Sequence, residues 1–393
     1  MDMDKIIIIN SGSMSKKYAL YEGDKKIATF HYEKTETGYE LHERLGDAVA
    51  RTTKISEKEY QHAFDHAVNL IVSQKKVSSE KDIKAAVFRV VAPGTYFTFD
   101  RVIDKEFVKN LEKAHEQTPL HIDKMKAEFD QVHTRLPDVR IVAISDSRFH
   151  TSMPEYARIY AIPKKVREEL DIYRFGYHGI SVASVMHKIK DKMGKIPEKV
   201  IVCHLGGGSS VTALKHGQSI DTTMGYSPLE GLTMSTRVGD IDAGALLAIT
   251  DMEHFNVKQV RDFVYYNCGL KGISNNSDDV RILLASADKG DHDSILALDN
   301  YAYHIQKYIG AYHVLLGGLD LLVFTGTIGE RSEPMRARIC KGLSALGIEI
   351  DEKLNHQDVN GFLYINKPRT NIPVQIIETD EMGEMARRAV EML

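Results

Sequence analysis

The sequence predicts an α/β protein built from two related halves. Short apolar runs alternate with helical patterns along the whole chain, as expected of mixed α/β domains. Two of these runs, residues 6–9 and 200–203, feed Gly/Ser-rich loops: Asn10-Ser11-Gly12-Ser13-Met14-Ser15 and His204-Leu205-Gly206-Gly207-Gly208-Ser209-Ser210. In each copy a hairpin glycine follows thirteen residues later, Gly23 after Asn10 and Gly217 after His204. A strand that ends in small residues turns backbone N–H groups and hydroxyls toward one anion. Two such loops 194 residues apart suggest two half-molecules gripping one polyphosphate.

In chain order, residues 6–9, 17–21 and 26–31 read as three strands, the last two joined by a Gly23-Asp24 turn. A helix is expected next, opened by a Ser56/Glu59 capping box. Tyr60, Phe64, Val68 and Ile71 form its apolar stripe. Residues 85–91 and 139–145 read as strands, ending at Ala92-Pro93-Gly94 and at Asp146. The three-strand pattern repeats over 200–204, 210–215 and 218–223. Helical patterns follow near 241–252, 257–266 and 294–315. Residues 321–325 predict a buried strand running into Gly326-Thr327-Ile328-Gly329-Glu330, then a helix from about Pro334. A strand over 374–377 and a terminal helix over 381–393 complete the chain. No Pro/Gly/Ser-rich linker divides the halves, so a hinge is expected near 146–148.

At 393 residues, with 43% hydrophobic and 27% charged residues, the chain has the composition of a soluble globular protein. A formal net charge of −4 gives no reason to expect nucleic acid or an anionic membrane as partner. An anion site must therefore be local. The acidic start, Met1-Asp2-Met3-Asp4, is not a secretory signal. The apolar stretch 314–328 is broken by Gly317, Gly318, Asp320 and Gly326, so no membrane span is expected. Three widely spaced cysteines, Cys203, Cys268 and Cys340, suit neither a disulfide framework nor a zinc site. The reading is a reducing cytoplasm.

Neither loop is a Walker P-loop or a GxGxxG fingerprint. Lys17, after the first loop, could reach a terminal phosphate as a point charge. Arg89, inside the apolar Phe88-Arg89-Val90-Val91, and Arg237, in Thr236-Arg237-Val238-Gly239-Asp240-Ile241-Asp242, each require a partner. That partner is either a nearby aspartate or a carboxylate and a transferring phosphoryl group held by the guanidinium forks. Among seventeen histidines, His178 stands out, because Gly176 and Gly179 beside it allow close backbone approach to a ligand. His121 and His150 follow Leu120 and Phe149. His62 and His66 have helical ligand spacing but no third ligand, and read as a solvated face. Asp146 ends a strand, a common place for a catalytic group in α/β proteins. Glu381 begins the terminal helix, where first-turn charge is favoured anyway. Asp279-Val280-Arg281 could be a surface pair.

Taken together and in this order, these segments resemble the acetate kinase family, in the superfamily shared with sugar kinases, Hsp70 and actin. The matching stretches are Ile9 through Lys17, Arg89-Val90-Val91, Arg174 through Ser181, His204 through Ser210, Met224 through Leu232, Arg237 through Asp242, Ile328-Gly329-Glu330 and Thr379-Asp380-Glu381. The resemblance implies two duplicated actin-like (ribonuclease H-like) domains with an interdomain cleft. Residues 1–147 with 379–393 would form one, and 148–378 the other with the dimer interface. It also implies a homodimer, Mg²⁺ (or Mn²⁺), and reversible ATP-dependent phosphorylation of acetate or propionate to an acyl phosphate and ADP. Carried over by position, Asn10 and Glu381 would organise the metal, and Arg89 would bind the carboxylate. His178 and Arg237 would stabilise the transition state, with Asp146 the supposed acid/base. Lys17, His204, Leu205, Gly206, Gly207, Gly208, Asp279, Val280, Arg281, Thr327, Ile328, Gly329, Glu330 and Arg331 would line the nucleotide. Val91, Leu120, Tyr177 and Pro228 would form the pocket for the acyl tail.

Several positions depart from the family pattern. Ala92-Pro93-Gly94 replaces His-Gly-Gly, Ile122 replaces Asn after Leu120-His121, and Gly207 stands for Asn. Tyr177 replaces Phe, adding a hydroxyl beside the acyl tail and widening the expected acceptors to propionate or a hydroxy acid. On the donor side Thr327 and Arg331 replace Ala and Asn, changes in keeping with pyrophosphate or phosphate as the phosphoryl partner, while intact Ile328-Gly329-Glu330 favours ATP. A paralogue that binds a nucleotide or metabolite without turnover is the third reading. Retention of Arg89, Asp146, His178, Arg237 and Glu381 argues against it.

Overall fold

The computed structural model describes residues 4–11, 15–35, 37–46, 48–115 and 119–393, the side chains of residues 11, 115 and 119–124 excepted. By its internal contacts the chain divides into two units, Met1–Arg148 with Asp380–Leu393, and Phe149–Thr379.

In the first unit Ile6, Ile7, Ile8 and Ile9 are all buried. Successive strand residues face opposite sides, so this run requires cover on both faces of its sheet. β1 (Lys5–Ser11) pairs antiparallel with β2 (Ser15–Glu22), which pairs with β3 (Lys25–Thr35). β4 (Gly38–Leu45) and β5 (Arg51–Ile55) extend that edge. On its other side β1 runs parallel to β6 (Ile83–Val90), and β6 parallel to β8 (Arg140–Ser145), with β7 (Arg101–Val102) antiparallel at the end. The sheet order is β5-β4-β3-β2-β1-β6-β8-β7. Helix Ala63–Ser73 buries Phe64, Val68 and Ile71 in a core with Ile7, Ile9 and Phe88. The terminal helix Glu381–Val390 touches β1, β6 and β8.

The second unit repeats the plan. β9 (Lys199–Leu205), β10 (Ser209–Lys215) and β11 (Gln218–Thr222) form an antiparallel meander. β12 (Leu321–Thr325) then runs parallel to β9, β14 (Val374–Ile377) parallel to β12, and β13 (Phe362–Tyr364) closes the edge antiparallel. The order is β11-β10-β9-β12-β14-β13. Its β11-β10-β9-β12-β14 core has the same directions as β3-β2-β1-β6-β8 in the first unit. The hairpin glycines Gly23 and Gly217 both adopt positive φ, 59° and 78°, the conformation that favours glycine in such turns. A 25-residue helix, His292–Leu316, buries Leu298, Tyr301, Ile305 and Ile309 against this sheet.

The structure differs from the sequence reading at four points. β4 and β5 were not anticipated: of β4 only Leu41 is buried, and β5 buries nothing, so neither carries an apolar signal. The Ser56/Glu59 capping box is present, with Ser56 N–H donating to Glu59 Oε2 at 2.7 Å, but the helix it opens stops at Gln61 and restarts at Ala63. Residues 326–330, expected as a loop, begin a short helix, Gly326–Arg331. Glu330 Oε1 accepts the Gly326 N–H at 2.9 Å and so caps that helix from within. His66 is also not on a solvated face: its Nδ1 lies 3.1 Å from the Tyr32 hydroxyl. No helix among the described residues is long and apolar enough to cross a membrane.

Candidate active site

In the first unit the parallel strands end where the candidate groups sit. β6 carries Arg89 one residue before its end, and Asp146 follows β8, its N–H donating to Val90 O at 3.0 Å. Asn10 lies on β1 opposite Lys17 of β2. Glu381 opens the terminal helix, which Asp380 caps by accepting the Gly383 N–H. These elements converge. Arg89 Nη2 donates to Asp146 Oδ2 at 3.0 Å, and Arg89 Nη1 donates to Glu381 Oε2 at 3.2 Å. Asn10 Nδ2 donates to the same Glu381 oxygen at 3.0 Å.

Side-chain exposures of 19% for Arg89, 1% for Asp146 and 16% for Glu381 put this bridge mostly out of water. Burial alone would lower the guanidinium pKa, yet the two carboxylates outweigh it and hold Arg89 charged well above its usual value. The sum of one guanidinium and two carboxylates is one negative charge, beside an amide oxygen. That donor set is all oxygen, which suits Mg²⁺ bound through one or two carboxylates and substrate phosphates. No cluster of three or more His, Cys, Asp or Glu able to hold a metal occurs among the described residues. Gly12, Ser13 and Met14 of the first loop lie outside the described residues, as does the side chain of Leu120. Val91 is half-buried just after β6.

The second unit brings a different set together. His178 precedes helix Gly179–Met193 in the left-handed region, φ 61° and ψ 16°, a conformation that costs a non-glycine residue free energy and concentrates at functional sites. Its Nδ1 is 3.0 Å from Ser210 Oγ, and its ring stacks on His204 with centroids 4.2 Å apart. His204 Nδ1 in turn meets Ser181 Oγ at 2.8 Å. A β-carbon built on Gly208 would come within 3.1 Å of Arg237 Nη1 and 3.3 Å of His178 Nε2. The glycine loop, the guanidinium and the imidazole therefore face one spot. Arg237 Nη1 also donates to Pro228 O at 3.3 Å. Gly208→Ala is expected to push both side chains aside and lower turnover about tenfold with little change in melting temperature, since a fraction of an ångström of misplacement already weakens a positioned donor. Steady-state kinetics and thermal denaturation check this.

Other expected residues fall as follows. Thr325 of β12 pairs with His204 of β9, so the glycine loop lies beside Gly326 and Thr327; a β-carbon on Gly206 would lie 4.0 Å from Thr327 N. Leu205 and Gly329 are buried, Gly207 and Thr327 exposed, and Ile328 half-buried. Glu330 Oε1 accepts the Gly326 and Thr379 N–H groups, both at 2.9 Å, so it braces the loop. Asp279 caps helix Val280–Ala287 and pairs with exposed Arg281 at 2.5 Å, and Arg331 is exposed. Tyr177 is buried, and its hydroxyl donates to Tyr226 O at 2.7 Å. That hydroxyl is engaged by backbone, which leaves the ring for any lining role.

Two supports escaped sequence reasoning. Ser181 and Ser210 orient the histidine pair; both lie in stretches the sequence singled out, but neither was given that role. Arg336, itself buried, donates from Nη1 to Gly329 O at 3.0 Å and Glu330 O at 2.9 Å, and from Nε to Asn355 Oδ1 at 2.7 Å. Burial lowers its pKa to about 10. Its cation sits on the last carbonyls of the Gly326–Arg331 helix, where the helix dipole favours it.

The Acetokinase family profile matches residues 5–387. The chain is 36% identical over 397 residues to an acetate kinase of Dictyoglomus thermophilum, covering 99% of both, and 36% identical over 393 residues to one of Bacteroides fragilis, covering 96% of both. Among solved structures it is similar to a propionate kinase of Francisella tularensis subsp. tularensis SCHU S4, with TM-score 0.87, 30% identity and 98% of both chains covered. It is also similar to the acetate kinase of Porphyromonas gingivalis, with TM-score 0.84, 28% identity and 99% of both covered. That likeness, with the repeated sheet plan, gives the two-domain actin-like fold. The chain belongs to the acetokinase family.

Proposed function

We propose that the protein phosphorylates a short-chain carboxylate, acetate or propionate, with ATP and Mg²⁺, reversibly forming an acyl phosphate by in-line transfer. The observation that carries this reading is the convergence of Gly208, Arg237 Nη1 and His178 Nε2 on one spot. It supplies two donors where the transferring phosphoryl group would gain charge. The names of the relatives, acetate and propionate kinases, agree with it.

The physics asks little else. A carboxylic acid of pKa about 4 to 5 is ionised at pH 7 and is a nucleophile without a base. What it lacks is a way to approach another anion. Fixed cations and donors provide that by electrostatic stabilisation, the main catalytic means in phosphoryl transfer. Asp146 then acts by orienting Arg89 rather than by accepting a proton. Glu381 and Asn10 would hold Mg²⁺, which when bound neutralises phosphate charge. Lys17, the glycine loop at 204–208, Asp279-Val280-Arg281 and residues 327–331 are assigned to the nucleotide. Val91, Leu120, Tyr177 and Pro228 are assigned to the acyl tail.

The test is a panel of acids and phosphoryl donors read by hydroxamate trapping. ATP with acetate or propionate should give acyl phosphate. Product from pyrophosphate but not ATP would transfer the assignment to that donor, and binding without product from any donor would leave a sensor. We also assign a cytoplasmic homodimer. Helix Ala243–Met252 is apolar yet buries no residue, with Leu247 67% and Met252 79% exposed, a face suited to a second copy. A monomeric mass by light scattering would contradict it.

A further inference from the structure

A buried ion pair inside the first unit lies outside the proposed site but touches two of its supports. Arg388 follows Glu381 by seven residues on the terminal helix, two turns on and on the same face. Its side chain is 9% exposed, and that of its partner Asp100 is 2% exposed. Arg388 Nε donates to Asp100 Oδ2 at 3.0 Å and Arg388 Nη2 to Asp100 Oδ1, a bidentate fork. Nη2 also donates to the Ser145 carbonyl at 3.0 Å. Asp100 Oδ1 accepts the Ser145 N–H at 2.9 Å, and Oδ2 accepts from Arg148 Nη1. Ser145 is the last residue of β8, and Asp146 comes next. Ser145 Oγ donates to Phe97 O at 2.5 Å and accepts the N–H groups of Ser147 and Arg148 at 3.1 Å each. The backbone on both sides of Asp146 is thus tied, through Asp100, to the helix that begins with Glu381.

We propose that Asp100 and Arg388 are a positioning pair, which sets the terminal helix against the end of β8 so that Glu381 and Asp146 stay aligned on Arg89. A buried ion pair is a weak source of net stability compared with apolar side chains of the same volume. Its fixed fork geometry does specify register, and register is what two carboxylates sharing one guanidinium need. The kinetic consequence rests on the function proposed above; the structural one does not.

The pair is tested with Arg388→Met and Arg388→Lys in the full chain. Misplacing a catalytic group by an ångström costs about 10²-fold in rate. R388M is therefore expected to lose about 10²-fold in kcat, with KM for the nucleotide nearly unchanged because the assigned nucleotide groups of the second unit are untouched. R388K, which keeps the charge without the fork, should fall between. A crystal structure of R388M should show the 3.2 Å contact between Arg89 Nη1 and Glu381 lost. Wild-type kcat in R388M with only a lower melting temperature, or that contact intact, would overturn the proposal. Should R388M not fold, the same two readings on R388K decide. Should the wild type make no acyl phosphate, the proposed function falls while the crystallographic reading still decides this one.

Discussion

Arg237→Ala is expected to lower kcat for acyl phosphate formation by about 10²–10³-fold, the usual cost of removing one preorganised donor from developing charge. The substitution removes one of the two groups that crowd Gly208 and leaves His178 in place on Ser210. Arg237 Nη1 contacts the Pro228 carbonyl at 3.3 Å and the Met234 sulfur at 3.8 Å, and thermal denaturation of R237A separates a loss of rate from a loss of stability. Arg237→Lys should regain part of the rate: it restores the charge but not the planar fork. Equal kcat for R237A and wild type would remove Arg237 from the transition state.

Arg89→Ala is expected to be more damaging, since it harms fold and turnover together. Asp146 is fully buried, and removing the cation from such a pair typically costs about 3–5 kcal/mol. The Glu381 carboxylate loses the same partner. Loss of activity in R89A alone would therefore not separate catalysis from folding. The double variant Arg89→Met with Asp146→Asn deletes both charges. It should recover much of the melting temperature while staying at least about 10²-fold below wild type in kcat. Recovery of turnover along with stability would assign Arg89 a structural role only.

Much of the fold was legible because its central strands are written in unbroken apolar residues. Ile6 to Ile9, 200–203 and 321–325 are buried on both faces, and such runs read as strands whatever surrounds them. The duplication showed in the two small-residue loops and the two hairpin glycines. β4 and β5 were illegible because sequences such as GYELHERL and RTTKI expose most of their side chains. Helix Gly326–Arg331 was hidden by its two glycines; its cap comes from Glu330, within the helix itself.

The site was legible in its groups more than in its partnerships. Arg89 amid apolar residues announced a need for countercharge, and Asp146 at a strand end was a natural candidate. That Glu381 completes the bridge was not reached at all: the resemblance assigns it to the metal only, and 292 residues separate it from Arg89. The Asp100–Arg388 fork, spanning 288 residues, carries no sequence signal: each residue alone reads as an ordinary surface charge. Tyr177 shows the opposite failure. Its hydroxyl looked like a specificity feature, and the Tyr226 carbonyl takes it up.

The central proposal is that an ionised carboxylate oxygen attacks phosphorus and becomes the bridging oxygen of the acyl phosphate. Wild-type protein supplied with Mg-ATP and acetate or propionate labelled with ¹⁸O in both carboxylate oxygens tests it. Hydroxylamine attacks the acyl carbon of the product, so the phosphate released keeps the bridging oxygen. One ¹⁸O atom is expected in each phosphate released by hydroxylamine; phosphate without label would contradict attack by the carboxylate oxygen.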